Sequence, residues 1–166
     1  EFISHEKYSP SKKTNDIALI RLGRPAKLCD SVRPICLPIE KSQSPNSENL
    51  QNMIVSGWGA TEQNVSASVL QYVKIPVYPN TNCRALFPRR AGFTLDESHV
   101  CTLSENGADH CSGDSGGPLQ YVSQQNQFYQ YGIVSFGVNS CGVHNIPGVY
   151  TKVPHFMDWI RSKLNL

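Results

Sequence analysis

Short apolar or alternating runs, separated by clusters of Pro, Gly, Asn and Ser, dominate the chain. Those that read as strands are Ile17–Leu22, Met53–Trp58, Val69–Val77, His99–Leu103, Gly117–Val122, Phe128–Phe136 and Gly148–Val153. They are rich in Val, Ile, Tyr and Phe, which suit a pleated, half-buried surface. Many short strands punctuated this way predict an all-β antiparallel barrel or sandwich. Phe2 and Ile3 read as part of an alternation already under way. Two segments break the pattern. "NTNCRALF", Asn80–Phe87, predicts a short helix with Asn80 as its cap. After Pro154, Phe156, Trp159, Ile160 and Lys163 with Leu164 recur at spacings of three and four, one apolar stripe of a C-terminal helix that docks on a core. Glu40–Asn52 is polar and interrupted by Pro, and predicts an exposed connector between two sub-structures.

Composition narrows the class. The 166 residues are 39% hydrophobic and only 17% charged, with 11 Pro and 12 Gly, which suits a turn-rich globular chain rather than a disordered or fibrous one. The net charge of +2 is interspersed, and the only local basic run is Pro88–Arg90. Nucleic acid is therefore not an expected partner. No apolar run approaches the roughly 20 residues of a membrane span. None of the six cysteines forms a C-x-x-C pair, which argues against a zinc or thioredoxin-like motif. Scattered in even number, they read as disulfides and an extracellular setting. The acceptor triplet at Asn64–Ser66 fits secretion. With neither an initiator Met nor a signal peptide, the chain reads as processed or as a fragment.

The densest chemistry lies in "ADHCSGDSGGPL", Ala108–Leu119. A serine hydroxyl attacks well only when a base takes its proton and donors stabilise the oxyanion. Gly113 lets the backbone turn so that its N–H and that of Ser115 point at one oxygen, while Gly116 and Gly117 permit close approach. On these residues alone the alternative is a glycine-rich turn with an exposed serine.

"CSGDSGGPL" resembles the nucleophile loop of the trypsin-like serine proteases, and other segments agree in family order. "NDIALIRL" resembles the segment of the triad aspartate, "VRPICLP" the connector after it, and "VSGWG" the first strand of the second barrel. "GIVSFG" and "PGVYTKV" resemble the walls of the specificity pocket, and "FMDWI" the final helix. The resemblance implies the second six-stranded antiparallel barrel of a two-barrel fold, over 53–153. The end of the first barrel would occupy 1–39, with a connector at 40–52 and a helix at 154–166. It further implies that Ser115 is the nucleophile, that Gly113 and Ser115 supply the oxyanion N–H groups, and that Asp16 orients a catalytic imidazole. Without it, Asp16 reads as a capping residue. Asp114 would pair with a newly exposed N-terminal amine, and Asp109 would sit at the base of a pocket selecting Arg or Lys. Gly137 and Gly148 would leave that slot open, and Ser135 with Gly137 would pair with substrate backbone. His110 departs from the small residue usual beside Asp109 and either narrows the pocket or adds charge at low pH. Phe136 replaces the commoner Trp of the pocket wall.

Two family bridges, Cys83–Cys101 and Cys111–Cys141, are implied, with Cys36 tethering the domain to an upstream pro-region. Cys29 pairs with Cys36 or with a segment outside the chain. The wording of "SHEKYSP", "GWGATE" and "SFGVNSCG" is most like that of arthropod clip-domain proteases of immune or developmental cascades, for which serpins are fitting inhibitors. Neither a cofactor nor a metal site is implied. None of His5, His99, His110, His144 and His155 lies in a segment like the family's general-base motif. All-β barrel domains commonly reach about 200–250 residues. The expectation is thus the C-terminal part of an endopeptidase domain, inactive alone because triad members act as a unit. The rival expectation is a non-catalytic homologue that binds or regulates.

Overall fold

Pro76 organises the main sheet. It splits the expected Val69–Val77 strand into β4, Gln71–Ile75, and β5, Val77–Tyr78, because its ring removes a ladder donor. The computed structural model describes residues 1–40, 43–61, 63, 65–87, 92–137 and 144–164. The other strands are β1 (Phe2–Ser4), β2 (Ala18–Ile20), β3 (Met53–Gly57), β6 (His99–Thr102), β7 (Pro118–Val122), β8 (Phe128–Phe136) and β9 (Gly148–Lys152). β1 and β2 form an antiparallel pair of their own. The remaining strands make one antiparallel seven-stranded sheet in the order β4-β3-β7-β8-β9-β6-β5. Its two edge strands are neighbours in sequence, separated only by Pro76. The sheet therefore curls until its edges meet, and the seven strands correspond to the six expected with one of them bent.

Met53, Val55, Ile75, Leu119, Tyr121, Tyr131, Val134 and Tyr150 fill the interior of this curl. The alternation in β3 and β7 is the period-2 pattern of strands with one buried face. β6 is buried along its whole length, and β9 at four of five positions, so their sequences read as continuous rather than alternating runs.

Several boundaries differ from the expectations. The Ile17–Leu22 run shortens to β2, since Arg21 and Leu22 lie beyond the pairing with β1. The Met53–Trp58 run ends at Gly57, leaving Trp58 exposed. The connector Glu40–Asn52 is not featureless. It contains α1, Ser47–Gln51, started by a reciprocal capping box between Asn46 and Asn49. The Asn49 amide also donates to the Val122 carbonyl at 2.8 Å, docking the connector on β7. Asn80 is not a cap. α2 spans Asn80–Leu86 with Pro79 at the N-cap, and the Asn80 amide instead donates to the Asp96 and His99 carbonyls at 2.9 and 3.0 Å.

Beyond β9, a 3-10 turn at Val153–Phe156 leads into α3, Met157–Leu164, so the helix proper begins three residues after the 154 expected. Val153, Phe156, Met157 and Ile160 bury against Ile17, whereas Leu164 is exposed. This packing fixes the backbone next to Asp16. Glu6 adds a polar clasp: its carboxylate accepts from the Lys163 ammonium and from the Trp159 indole N–H at 3.0 Å. The Lys163 hydrogen bond leads the causes that hold the Glu6 pKa down to about 2. A lowered folded-state value means that the contribution is present above the ordinary carboxylate range and lost as pH falls toward 2. Trp159 fluorescence is accordingly expected to report loosening of the N-terminal segment from α3 between about pH 4.5 and 2, and Glu6→Gln should remove that transition.

Cys83 and Cys101 are disulfide-bonded, tying α2 to β6. Cys111 is also disulfide-bonded. Its expected partner Cys141, the acceptor Asn64 and the basic run Pro88–Arg90 lie outside the described residues. Cys29 and Cys36 are free thiols rather than a pair.

Candidate active site

Ser115 sits on an exposed turn just before two backbone anchors. Gly116 N–H donates to the Val134 carbonyl, and Val134 N–H donates to that of Gly117, each at 2.9 Å. These bonds fasten the turn to β8. Gly113 has φ +98°, a conformation that side chains rarely adopt, and a Cβ there would lie 3.2 Å from Gly59 Cα. Between these glycines, Asp114 points inward. Its Oδ1 accepts from Gly59 N–H at 2.8 Å and its Oδ2 from Cys111 N–H at 2.9 Å. The carboxylate fits so closely that a Cβ on Gly57 would stand 2.0 Å from Oδ1, and one on Gly59 2.5 Å.

Asp16 reaches the same region from the other side. Its Oδ2 accepts from the Ser135 hydroxyl at 2.6 Å, and its carbonyl from the Thr151 hydroxyl at 2.8 Å. Ser135 can do this because the β8–β9 register shifts between Val134 and Phe136, a bulge that re-aims the side chain of the extra residue. Asp16, Ser115 and Ser135 line one cavity of about 740 Å³. Apolar residues of β2 and β8, with Leu37 and Ile160, form much of the rest of its wall.

The five histidines are engaged elsewhere. His5 packs tilted against Trp159 and edge-on against Phe156, and His155 packs edge-on against Phe156. Buried His99 lies 3.0 Å from Asp96 and donates through Nε2 to the Lys13 carbonyl at 2.9 Å, while His144 donates to the Glu105 carbonyl. His110 lies 2.9 Å from Asp109. None has Ser115 or Asp16 as a hydrogen-bond partner among the described residues.

Asp109 and His110 are nearly buried, with 13% and 9% of their side chains exposed. They face a second cavity, about 410 Å³, which Gly57, Gly59, Tyr72 and Asp114 also line. Tyr150, in the interior, donates its hydroxyl to Asp109. Burial, reinforced by the Asp109 charge, pushes its phenol well above the usual range. Phe136 packs edge-on against Phe93 at 4.8 Å.

The profile of the family described as Trypsin matches residues 1–160. The chain belongs to the trypsin family. Among its relatives, the "CLIP domain-containing serine protease HP8" of Bombyx mori is 40% identical over 167 aligned positions, 99% of this chain and 45% of that protein. The "Phenoloxidase-activating factor 3" of Holotrichia diomphalia is 40% identical over 167 positions, 98% of this chain and 46% of that protein. The chain thus spans less than half the length of these curated relatives. Among solved structures, neuropsin, a serine protease expressed in the limbic system of mouse brain, aligns with a TM-score of 0.81 at 34% identity. That alignment covers 99% of this chain and 70% of that one.

Within this trypsin-family chain, the partners of the candidate residues were the part that sequence reading missed. Ser135 was expected to meet substrate backbone, and its side-chain bond to Asp16 was not foreseen. Thr102 and Tyr150, both hydrogen-bonded to Asp109, carried no signal beyond being polar groups in strongly apolar strands.

Proposed function

We propose that this chain carries the nucleophile and the orienting acid of a serine endopeptidase that cleaves after Arg or Lys through an acyl-enzyme. The observation that supports it best is the shared cavity of Ser115 and Asp16, with Ser135 bracing the acid. In this reading, Ser115 Oγ attacks the scissile carbonyl and the leaving amine departs protonated. The Gly113 and Ser115 N–H groups stabilise the oxyanion, and water then releases the acyl group. Asp109 supplies the acidic pocket. Asp114 awaits a new N-terminal amine in the 410 Å³ cavity it lines.

Since every histidine here is engaged away from Ser115, the general base comes from outside residues 1–166. Free Cys36 is suited to a disulfide with an upstream segment. The likeness to a CLIP-domain protease and to a phenoloxidase-activating factor supports an extracellular arthropod cascade as the setting, with serpins as fitting inhibitors. The Cys83–Cys101 bridge is in keeping with secretion.

Labelling with a fluorophosphonate probe tests the reading. Residues 1–166 alone are expected to label no faster than their Ser115→Ala variant, and the intact activated protein to label rapidly through Ser115. Rapid labelling of the chain alone would refute the external base. Absence of labelling in the activated protein would instead favour a non-catalytic binding role.

A further inference from the structure

The chain holds a single Asn-Gly pair, Asn106–Gly107, in the turn that leads from β6 to Asp109. In such a pair the main chain can attack its own side chain, because the second residue has no Cβ to keep its nitrogen away from the amide carbon. Asn106 is exposed, and its amide is held by the oxygen alone. Oδ1 accepts from the Ala108 main-chain N–H at 3.2 Å and from the Ser104 hydroxyl. Nδ2 has no hydrogen-bond partner among the described residues. A main-chain N–H can only donate, so the Ala108 contact fixes which end of the amide is oxygen.

Three features act in one direction. To accept from an N–H two residues on, the side chain folds forward over the intervening peptide, which brings Cγ toward Gly107 N. The two donors on Oδ1 stand where negative charge develops as that nitrogen adds to Cγ, the role of an oxyanion hole. The nitrogen itself is lightly held. Its N–H reaches the Ser104 carbonyl at 3.3 Å, longer than the usual range of about 2.7–3.2 Å. Asn46, which precedes Ser47, makes the contrast. Its Oδ1 accepts from Asn49 N–H at 2.8 Å, three residues on, and the Ser47 nitrogen between them belongs to the first turn of α1.

We propose that Asn106 is a site of self-modification, activated in the folded chain by Ser104 and Ala108, and that its products alter the wall of the 410 Å³ cavity. Gly107 N bonds to Cγ, the Cγ–Nδ2 bond breaks, and the proton of Gly107 N leaves with Nδ2 as ammonia. The product is a cyclic succinimide, which water opens. Breaking the bond from Gly107 N to Cγ yields aspartate at position 106. Breaking the bond from Gly107 N to the main-chain carbonyl carbon yields isoaspartate, with the main chain rerouted through Cβ and Cγ. Nothing is oxidised or reduced, and the net change is NH2 for OH. Either product puts a carboxylate three residues before Asp109. The longer isoaspartyl backbone also displaces Gly107 and Ala108, both of which line the cavity. This chemistry is independent of the protease reading.

The test is incubation of the intact protein in mildly alkaline buffer, folded and in urea. Pepsin digestion in acid, which preserves the succinimide, and mass spectrometry follow. In the folded protein, the peptide with Asn106 is expected to become lighter by one ammonia, then heavier than at the start by the exchange of NH2 for OH. The peptide with Asn46 should not change. Ser104→Ala should slow the conversion about fivefold in the folded protein, the worth of one net hydrogen bond, and leave the rate in urea unaltered. Ser104→Thr, which keeps the hydroxyl, should convert as wild type does, and melting curves establish that both variants are folded. Conversion in urea only, or equal rates in folded wild type and folded Ser104→Ala, would overturn the proposal.

Discussion

Replacing Ser115 with Ala in the intact activated protein is expected to lower kcat/KM for a peptide with Lys or Arg before the cleaved bond by about a million-fold, the scale found when serine nucleophiles are removed. The reason is chemical: without Oγ there is no acyl-enzyme, and the base and its orienting acid have no proton to move. What remains is the oxyanion site and substrate binding, which sustain only residual turnover. Ser115 is exposed, so stability should change by no more than about 0.5 kcal/mol. Steady-state kinetics with a chromogenic peptide, beside a melting curve, separates these effects. A loss of less than about a hundred-fold would mean that Ser115 is not the nucleophile.

Asp114→Ala is expected to produce the largest structural loss in the candidate site. The carboxylate is the acceptor for Gly59 N–H and Cys111 N–H at 2.8 and 2.9 Å. Stranding two partly buried donors costs about 1–3 kcal/mol each, giving about 2–6 kcal/mol in all. Gly59→Ala should be comparably damaging, because its Cβ would stand 2.5 Å from the Asp114 carboxylate. Urea unfolding monitored by far-UV circular dichroism measures both. A midpoint unmoved by Asp114→Ala would show that these bonds do not hold the turn.

The two substitutions also mark what order along the chain can suggest and where it stops. Ser115 stood out as the candidate nucleophile because serine, glycines and acid lie within a few consecutive residues, and local chemistry needs local spacing. The docking of α3 was legible through its stripe, since Phe156 and Ile160 recur on one face of a helix. Asn80 was misread because Asn is common both at caps and wherever a side chain must satisfy loop carbonyls. Its partners, Asp96 and His99, come from another segment. The connector hid α1 because a capping box built from two Asn residues, Asn46 and Asn49, carries none of the Ser, Thr or Glu that usually signal one.

By itself, the sequence determined what depends on order along the chain: strand and helix periodicity, the turn chemistry around Ser115, the pairing of Cys83 with Cys101 through resemblance, and membership of a family whose motifs recur in order. Tertiary structure alone decided what depends on approach between distant segments. Closure of the sheet at Pro76 brings its two edges together. A bulge at Ser135 turns that hydroxyl onto Asp16, more than a hundred residues away in sequence. Thr102, His110 and Tyr150, drawn from three separate segments, converge on the Asp109 carboxylate. Hydrogen bonds act over about 3 Å and have no memory of sequence separation, so which donors meet a carboxylate is settled only when the chain has folded around it.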